Sequence, residues 1–531
     1  MSKKGTGGNG FTLTHRVRMW IIAAVVFCVY GKTVQFDFVG LDDQELIVDN
    51  YEYVSDLSNI PNAFVTHAFY NPTKGEGSNV YYRPVLTLSF MLDAQIAGKS
   101  PKFYHFTNIL FHIISCLLFM KLLMGLKLNS DLAFFFALVF AVHPVLAQAV
   151  GWIPGRNDSL LALFTCASLI FLLKYLDTSI PKHLMLHSLF FGLALFTKES
   201  AIGVPVVCLV YVLIFGAGVT ASRWTLLITA YLAFLIPWFF LRQHVMLHTA
   251  ADLSFSSLSH SFVENLPLYL QSVQKSFIPF PLSVLSVPKD TNYIVSVSLI
   301  VLIAFFIFRS KEKNWRMILL GILWFSVFLL PAFVVHILTG FEHRVYLPLI
   351  GIFLVLSEID WIRNFSLSKM KYAFVGATLV ILFAVMAVSH SNSFSNNYEF
   401  WKTASLNSKH SAMARLNYGL AVSHRGDLAK AEAIYKEGLA IDSLEPLLHN
   451  NLGIIYARRK MFEVAEREFK GEIAVNPKFS DAYYNLGLLY KQTERDSLMV
   501  QMWRKTIRVD PRNASAKMSL EKYYKKGKST P

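Results

Sequence analysis

The chain contains little charge and little cysteine. Only 16% of its 531 residues are charged, whereas 54% are hydrophobic, and its mean hydropathy is +0.42. This balance excludes an ordinary soluble enzyme, whose surface needs more charged residues. The four cysteines all lie within apolar runs, where a thiol usually packs as a small hydrophobic group. They therefore predict neither a disulfide framework nor a metal site.

Acidic residues are scarcer than basic ones: 35 Asp and Glu stand against 50 Lys and Arg, which gives a formal net charge of +15. In a soluble protein this excess would suggest a nucleic-acid partner. Here the cations lie mainly in short loops between apolar runs, where they set membrane orientation, so we expect no nucleic-acid partner. The sequence also contains no zinc-ligand spacing, phosphate-binding loop, nucleophile elbow or dinucleotide fingerprint.

Long apolar runs dominate the chain from residue 18 to about residue 390. A membrane-crossing helix needs about 20 mostly apolar residues, and eleven runs are predicted as spans. The runs are 18–35, 104–124, 130–149, 158–177, 184–197, 201–218, 223–241, 291–308, 315–336, 345–360 and 371–390. Two of them are short and meet at residues 197–200, which predicts an interrupted helix there. The pair His143-Pro144 predicts a kink in the third run.

Basic residues predict the orientation of these spans. Lys3, Lys4, Arg16 and Arg18 precede or begin the first span, so the N-terminus is expected in the cytoplasm. Counting eleven spans from there, every inner loop is basic, and everything after residue 390 lies on the extracytoplasmic face. The same alternation makes 36–103 and 242–290 the two long outer segments. The second contains residues 262–277, whose apolar positions suit a helix lying along the membrane interface.

The C-terminal part of the chain repeats every 34 residues, a period typical of the paired helices of the tetratricopeptide repeat. The repeating pairs are Tyr418-Gly419, Leu452-Gly453 and Leu486-Gly487. We expect each glycine to allow close approach of two helices, with Ala431 and Ala465 at the crossing point. Tyr435, Phe469 and Trp503 are expected to pack against that point. Three repeats are sufficient for stable stacking, and the third is predicted to be of capping type.

These patterns predict an all-α protein, in which a polytopic bundle of about eleven spans precedes a tetratricopeptide-repeat solenoid. The expected organisation is a cytoplasmic tail at 1–17, a membrane domain at 18–395, a linker at 396–411, three repeats at 412–515 and a basic tail at 516–531. Such arrays usually offer a concave groove for a peptide or partner protein. A spacer or dimerisation element is the alternative for this part of the chain.

Ionisable residues gather in the predicted outer segments. The adjacent carboxylates Asp42 and Asp43 follow the first span, where one of them could act as a general base for a hydroxyl. Adjacent carboxylates raise each other's pKa, which suits a base, although acidic pairs in loops are usually just solvated. Three further clusters are Arg83 in YYRP, Arg156 and Asp158 in WIPGRND, and Glu342, His343, Arg344 and Tyr346 in FEHRVYLP.

A fourth cluster, Lys198 and Glu199, lies in the predicted helix break. The exposed backbone N–H groups of such a break, together with a lysine, predict an anion site, and phosphate is the obvious anion at a bilayer surface. The alternative is a structural pair of Lys198 with Glu199 or Glu342. The second run also carries one polar face, which predicts hydrogen bonds between helices rather than a metal site. That face consists of His105, Asn108, His112 and Ser115.

In chain order, six motifs followed by the repeats resemble the transmembrane and tetratricopeptide repeat-containing (TMTC) family and its bacterial relatives, within the GT-C glycosyltransferases. The motifs are LDDQELIVDN, YYRPVLTLSFMLD, YHFTNILFHIISCLLF, HPVLAQAVGWIPGRND, LALFTKESA and FEHRVYLP. The resemblance implies transfer of a mannose-like sugar from a polyprenyl-phosphate donor to Ser or Thr of a protein on the extracytoplasmic face. It implies no further cofactor and no required metal, although paired carboxylates could hold a divalent cation.

The resemblance also implies roles for residues. Asp42 or Asp43 would be the catalytic base, with preference for Asp42. Lys198 and Arg344 would bind the donor phosphate, with Arg83 and Arg156 as further contributors. The remaining cavity residues would be Glu199, Glu342, His343, Tyr346 and Asp158.

Three other functions fit parts of the pattern. A transporter would carry charges at the midplane and internal repeat symmetry, and neither is visible in the sequence. A non-catalytic membrane-anchored scaffold for envelope assembly would depend on the repeats alone. The third is the same sugar transfer to a glycan or glycolipid instead of a protein. The repeats favour a protein acceptor.

Overall fold

The computed structural model describes residues 13–72, 81–216, 218–246, 254–333, 340–525 and 527. Across these ranges the secondary structure is helical, with one isolated antiparallel bridge between Ser286 and Gly340. The predicted all-α class is therefore confirmed. The chain divides into two compact units, a membrane unit of residues 1–400 and a repeat unit of residues 401–531.

The membrane unit contains fourteen α-helices of five or more residues within the described ranges, and a fifteenth runs across the division between the units. They are α1 His15–Tyr30, α2 Pro84–Ala97, α3 Pro101–Gly125, α4 Ser130–Val142, α5 Ala147–Gly151, α6 Arg156–Thr178, α7 Pro181–Thr197, α8 Gly203–Phe215, α9 Ala221–Met246, α10 Phe255–Phe277, α11 Tyr293–Arg309, α12 Trp315–Leu329, α13 Leu349–Leu356, α14 Met370–Ser391 and α15 Asn397–Asn407. The last of these lies in the segment predicted as a linker.

Six helical segments of the described chain are long and apolar enough to cross a membrane, and a bent pair makes a seventh. The six are His15–Gln35, Pro101–Gly125, Ile153–Thr178, Ala221–Met246, Trp315–Ala332 and Met370–Phe394. Three shorter apolar helices are Pro84–Ala97, Glu199–Phe215 and Tyr293–Arg309. The run 345–360 contains only the eight-residue α13. Eleven full-length spans are thus not found, so span parity does not support the predicted orientation, which stays a prediction.

Local sequence signals explain where several of these helices begin and bend. Proline occupies the first turn of α2, α3 and α7, where its missing N–H costs nothing. The side chain of Asn129 caps α4 by accepting a hydrogen bond from Leu132 N at 2.8 Å. The predicted kink at His143-Pro144 is confirmed, since the axis turns by 51° between Ser130–Val142 and Pro144–Gly151.

The polar face of α3 hydrogen-bonds the helices around it, as the sequence predicts. Asn108 Nδ2 donates to the carbonyl oxygens of Trp152 at 3.1 Å and Ile153 at 3.3 Å. Ser115 donates to the carbonyl of Ser159 at 2.9 Å, and His112 Nε2 bonds to the carbonyl of Ala141 at 3.0 Å. These bonds satisfy buried polar groups and fix the chain reversal between α5 and α6.

Cysteine and interface predictions have mixed outcomes. Cys116, Cys166 and Cys208 are buried, as packing residues should be, whereas Cys28 is exposed on α1.

The segment 262–277 lies within the helix α10. Its position along a membrane interface stays a prediction.

The repeat unit contains three helix pairs and one further helix. The pairs are α16 Ala412–His424 with α17 Leu428–Ile441, α18 Leu448–Arg458 with α19 Phe462–Val475, and α20 Ser480–Gln492 with α21 Asp496–Val509; α22 is Ala514–Lys525. The predicted close approach is confirmed, because a Cβ on Gly453 would meet the Phe469 ring at 2.7 Å. Gly419 and Gly487 face Tyr435 and Trp503 in the same way.

The beginning of the predicted basic tail, 516–531, is helical. It belongs to the helix α22, in which Ala516 and Leu520 are buried. This helix packs on α21 and covers the apolar face that the third repeat would otherwise expose. The Lys residues at 526 and 528 lie outside the described residues.

Candidate active site

A cavity in the membrane unit collects residues from five distant segments. It encloses about 790 Å³ of empty space, part of it open to solvent. Six of the eleven sequence-predicted site residues line it: Asp42, Arg83, Asp158, Lys198, His343 and Arg344. The loop after α1, the start of α2, the start of α6 and the end of α7 meet at this place, together with the segment before α13.

The two adjacent aspartates occupy different positions. Asp42 lines the cavity and is partly exposed, whereas Asp43 is 1% exposed and accepts a hydrogen bond from Val39 N at 2.6 Å. Burial raises the pKa of Asp42 to about 6, against the opposing charges of Arg83 and Arg344. Burial also raises the pKa of Asp43 well above its usual range, although the Val39 hydrogen bond lowers it. Only Asp42 is therefore placed to meet a bound molecule.

Lys198 pairs with Asp158, not with Glu199 or Glu342. Its ammonium group lies 2.6 and 2.8 Å from the two carboxylate oxygens of Asp158 and 3.1 Å from Asn157 Oδ1. The bend between α7 and α8 puts the lysine into the cavity, as the predicted helix break requires. The pair is almost completely buried, with 10% of the lysine side chain exposed and 3% of the aspartate.

Arg83 and Glu199 form a second ion pair beside the first. Glu199 Oε2 accepts hydrogen bonds from Arg83 at 3.1 and 3.3 Å. The guanidinium lies 4.2 Å from the centre of the Tyr81 ring. Arg83 lines the cavity and Glu199 lies behind it, so the carboxylate fixes the arginine rather than facing a ligand.

The FEHRVYLP segment contributes two ionisable cavity residues, His343 and Arg344. The guanidinium of Arg344 lies 5.1 Å from the centre of the Phe341 ring, and its charge acts on Asp42. The His343 ring lies against Trp152 and Phe341, with Nε2 3.7 Å from Asp158 Oδ2. Burial, together with the nearby Lys198 and arginine charges, lowers the pKa of His343 well below its usual range. The imidazole is therefore neutral at pH 7.

Five predicted site residues lie outside the cavity: Asp43, Glu199, Glu342, Arg156 and Tyr346. Arg156 is fully buried and pairs with Asp93 at 2.6 Å, while its Nε donates to Asn108 Oδ1 at 2.7 Å. Its remaining nitrogen donates to the carbonyl of Tyr104 at 2.7 Å, so each guanidinium nitrogen already has a partner. Tyr346 is also buried, and its hydroxyl bonds to His112 Nδ1 at 2.6 Å. Both residues hold helices together.

Glu342 holds the FEHRVYLP segment in place. Its carboxylate pairs with Lys275 of α10 at 2.9 Å and with His390 of α14 at 2.8 Å, and it accepts from Ser283 N at 2.5 Å. Burial opposes ionisation of Glu342, but Lys275 and the bonded His390 ring outweigh it and keep the pKa of Glu342 below its ordinary value. Because the next two residues line the cavity, this network fixes their backbone from behind.

Several cavity residues have no counterpart among the sequence predictions. They are Tyr81, Trp152, Asn157, Ser200 and Phe341. Each lies within or beside a motif in which the sequence predicts a charged site residue. The motifs therefore predict the position of the cavity wall, but not the uncharged residues in it. Lys275 and His390 lie in no such motif. Among the described residues, no group of three or more His, Cys, Asp or Glu side chains could hold a metal ion.

Comparisons with known proteins cover part of this region. Residues 84–240 match the family model described as dolichyl-phosphate-mannose-protein mannosyltransferase, a range that includes Asp158 and Lys198. The chain is 33% identical over 209 residues to protein O-mannosyl-transferase TMTC1 of Homo sapiens, covering 36% of this chain and 23% of that protein. It is 34% identical over 163 residues to TMTC2 of Mus musculus, covering 30% and 19%. The chain thus matches less than a quarter of the length of these relatives.

Among solved structures, ArnT from Cupriavidus metallidurans bound to undecaprenyl phosphate is 14% identical, with a TM-score of 0.40 over 88% of this chain and 80% of that one. The first TPR of Spaghetti (RPAP3) bound to an HSP90 peptide is 23% identical, with a TM-score of 0.22 over 23% and 96%. These scores are too low to establish a shared fold. On the sequence matches, the predicted resemblance is confirmed: this chain is similar to the protein O-mannosyl-transferases TMTC1 and TMTC2.

Proposed function

We propose that the chain is a membrane glycosyltransferase that moves a mannose-like sugar from a polyprenyl-phosphate donor to a Ser or Thr hydroxyl of a protein. One observation carries this proposal: a single cavity holds the carboxylate of Asp42 together with the cations of Arg83, Lys198 and Arg344. A carboxylate opposite a cluster of cations suits a displacement in which a hydroxyl loses a proton and a phosphate leaves.

The reaction is a single displacement at the anomeric carbon of the sugar. The Asp42 carboxylate accepts the proton of the acceptor hydroxyl as that oxygen bonds to the anomeric carbon. The bond from this carbon to the donor phosphate breaks, and the phosphate departs with the electron pair. The products are an O-linked sugar of inverted configuration, a polyprenyl phosphate and a protonated Asp42.

Asp42 is the base in this proposal because it faces the cavity. Asp43 is a positioning residue, since its carboxylate binds the backbone of Val39 and thereby holds the loop. Lys198, Arg83 and Arg344 hold the departing phosphate, whose negative charge grows as the bond breaks. Arg156 has no role in phosphate binding here, because Asp93 and Asn108 occupy its guanidinium.

The repeats supply the second half of the proposal. Tetratricopeptide arrays present a concave surface to extended peptides, which fits a protein acceptor better than a lipid or glycan. We place both the cavity and the repeats on the extracytoplasmic side, the periplasm in a bacterium or the lumen of the endoplasmic reticulum in a eukaryote. The basic residues before the first span support this placement for the loop that follows that span and contains Asp42.

The test is transfer by the purified full-length chain, given polyprenyl-phosphate-linked hexoses and Ser/Thr-rich acceptor peptides or, in a separate arm, glycan acceptors. Asp42→Asn should lower kcat/KM by about 10²- to 10⁴-fold, the usual contribution of a positioned general base. Glu52→Gln, an exposed carboxylate in the same segment, is the matched control and should have wild-type activity. Equal activity of Asp42→Asn and wild type would refute the assignment of the base, and donor use with glycans alone would refute the protein acceptor.

A further inference from the structure

The cavity contains neutral polar groups that its ion pairs leave unused. Lys198 carries only donors, so its contact at 3.1 Å must be with the oxygen of Asn157, and the Asn157 amide N–H₂ is turned the other way. Neither that N–H₂ nor the hydroxyl of Ser200 takes part in a hydrogen bond found in the described part of the chain, and both residues line the cavity. They are available to a ligand.

His343 provides a third such group. Its ring is 5% exposed and lines the cavity, yet Nδ1 has no hydrogen-bond partner among the described residues. Nε2 lies on the other side of the ring, 3.7 Å from the carboxylate of Asp158. The carboxylate favours the proton on Nε2, which leaves Nδ1 as an acceptor. A buried acceptor without a partner costs free energy unless a bound molecule satisfies it.

An aromatic wall lies beside these groups. The rings of Trp152 and Phe341 stack with centres 5.9 Å apart and planes 6° apart, and His343 contacts both. Trp152 and Phe341 both line the cavity. A few placed hydrogen-bonding groups against an apolar wall are what a pocket uses to orient a small polar ligand.

We propose that Asn157, Ser200 and His343, against the Trp152–Phe341 wall, form a subsite for a neutral sugar ring. Hydroxyls of the sugar would donate to His343 Nδ1 and bond with Ser200 Oγ, and the Asn157 amide would donate to a sugar oxygen. The subsite rests on the proposed transferase function, since it adds a sugar position next to the phosphate position.

Charge separates this subsite from the phosphate site. The cations that suit a phosphate are Lys198, Arg83 and Arg344, whereas the three subsite groups are uncharged. His343 belongs with them because its pKa lies well below its usual range, owing first to burial and then to the neighbouring cations. An uncharged hexose therefore fits the subsite better than a uronic acid.

The test compares two lipids that differ only in the sugar: polyprenyl phosphate with and without an attached hexose. Binding of each to the purified full-length chain in lipid nanodiscs is measured for wild type, His343→Phe and Ser200→Ala. His343→Phe keeps an aromatic ring against Trp152 and removes the acceptor. Each variant should weaken binding of the sugar-bearing lipid by about tenfold, as the loss of one buried hydrogen bond predicts, and leave the bare lipid phosphate within twofold.

The control is His424→Phe, an exposed histidine of the repeat unit, which should bind both lipids as wild type does. A donor lacking one sugar hydroxyl should lose affinity in wild type and lose less in the variant whose partner group is missing. Equal weakening of both lipids by His343→Phe and Ser200→Ala would overturn the subsite while leaving the transferase proposal intact. Failure of wild type to bind either lipid would overturn both.

Discussion

Two carboxylates, Asp42 of the membrane unit and Glu432 of the repeat unit, have opposite pKa shifts. In the membrane unit, burial raises the pKa of Asp42 to about 6 although Arg83 and Arg344 act against it. In the repeat unit, Lys436 lowers the pKa of Glu432 to about 2, with help from Tyr456 and Arg459. The difference lies in burial and in direct partners. Glu432 is hydrogen-bonded to its cations, whereas burial dominates at Asp42 and only the charges of Arg83 and Arg344 oppose it.

The ion pairs of the two units differ in the same way. Arg156 and Asp93 pair with 0% and 4% of their side chains exposed, whereas Lys436 and Glu432 pair with 58% and 16% exposed. Water screens and replaces an exposed partner, but it cannot reach a buried one. Ion pairs of the two units should therefore respond differently to the loss of a partner.

The largest effect is expected for Arg156→Met. The substitution leaves the Asp93 carboxylate buried without its partner, which typically costs about 3–5 kcal/mol of folding free energy. Thermal unfolding of the full-length chain in detergent measures the loss. Arg495→Met is the matched control, because it breaks an exposed pair with Glu466 and should cost about 1 kcal/mol or less.

A double variant separates charge from packing at the same place. Arg156→Met combined with Asp93→Leu removes both charges, so it should regain much of the stability that the single variant loses. If Arg156→Met and Arg495→Met cost the same, burial does not distinguish the two units and the comparison fails.

The second effect concerns packing inside the repeats. A Cβ at Gly453 would lie 2.7 Å from the Phe469 ring, so Gly453→Ala should overpack the helix crossing and cost about 1–3 kcal/mol. Hydrogen–deuterium exchange of the full-length chain should accelerate in α18 and α19 and stay unchanged in α3. Gly426→Ala, where a Cβ would meet no atom within 4 Å but φ is +87°, tests backbone strain alone. If the amides of α18 and α19 exchange in Gly453→Ala as slowly as in wild type, the close approach of Gly453 to Phe469 is contradicted.

The third effect is the pH dependence of transfer, which follows from Asp42. The base must be ionised, and its pKa is about 6, so kcat/KM should be level above pH 7. Below pH 6 it should fall by about tenfold per pH unit. Glu45 raises the pKa of Asp42 by its charge, so Glu45→Gln should move the acidic limb to lower pH. A profile that stays flat from pH 5 to pH 7 would rule Asp42 out.

The repeat unit was easier to predict than the membrane unit because the same sequence markers recur in each repeat. The Gly–aromatic contact occurs three times at one spacing, so Gly419, Gly453 and Gly487 support one another. The helix α22 escaped prediction since it follows the last repeat and shares no marker with the others. In the membrane unit, motif clusters located the cavity, and the interrupted helix placed Lys198 in it.

In the membrane unit, the sequence does not predict which acidic residue pairs with which basic residue. Arg156 and Lys198 are both basic residues in motifs, yet Asp93 saturates the first and Asp158 holds the second within the cavity. These partners lie 63 and 40 residues away along the chain. Both lie in the quoted motifs, but nothing in the sequence indicates which acid pairs with which basic residue. The predicted span count is only approximate for a related reason, because an apolar run such as 345–360 fits a membrane span and an eight-residue buried helix equally well.

The smallest effect is expected for Glu432→Gln in the repeats. Three groups bond to this carboxylate, Lys436 at 2.7 Å, Tyr456 at 2.9 Å, and Arg459. They lower its pKa in the folded state, so its stabilising contribution is complete above about pH 4.5 and is lost as the pH falls towards 2. At pH 7 the substitution should cost about 1 kcal/mol or less, and raised salt should reduce that cost. Exchange of the α17 and α18 amides at pH 7 and pH 3 measures both effects. A cost at pH 7 as large as that of Arg156→Met would mean that hydration does not set the worth of these pairs, and the contrast between the two units would then need another cause.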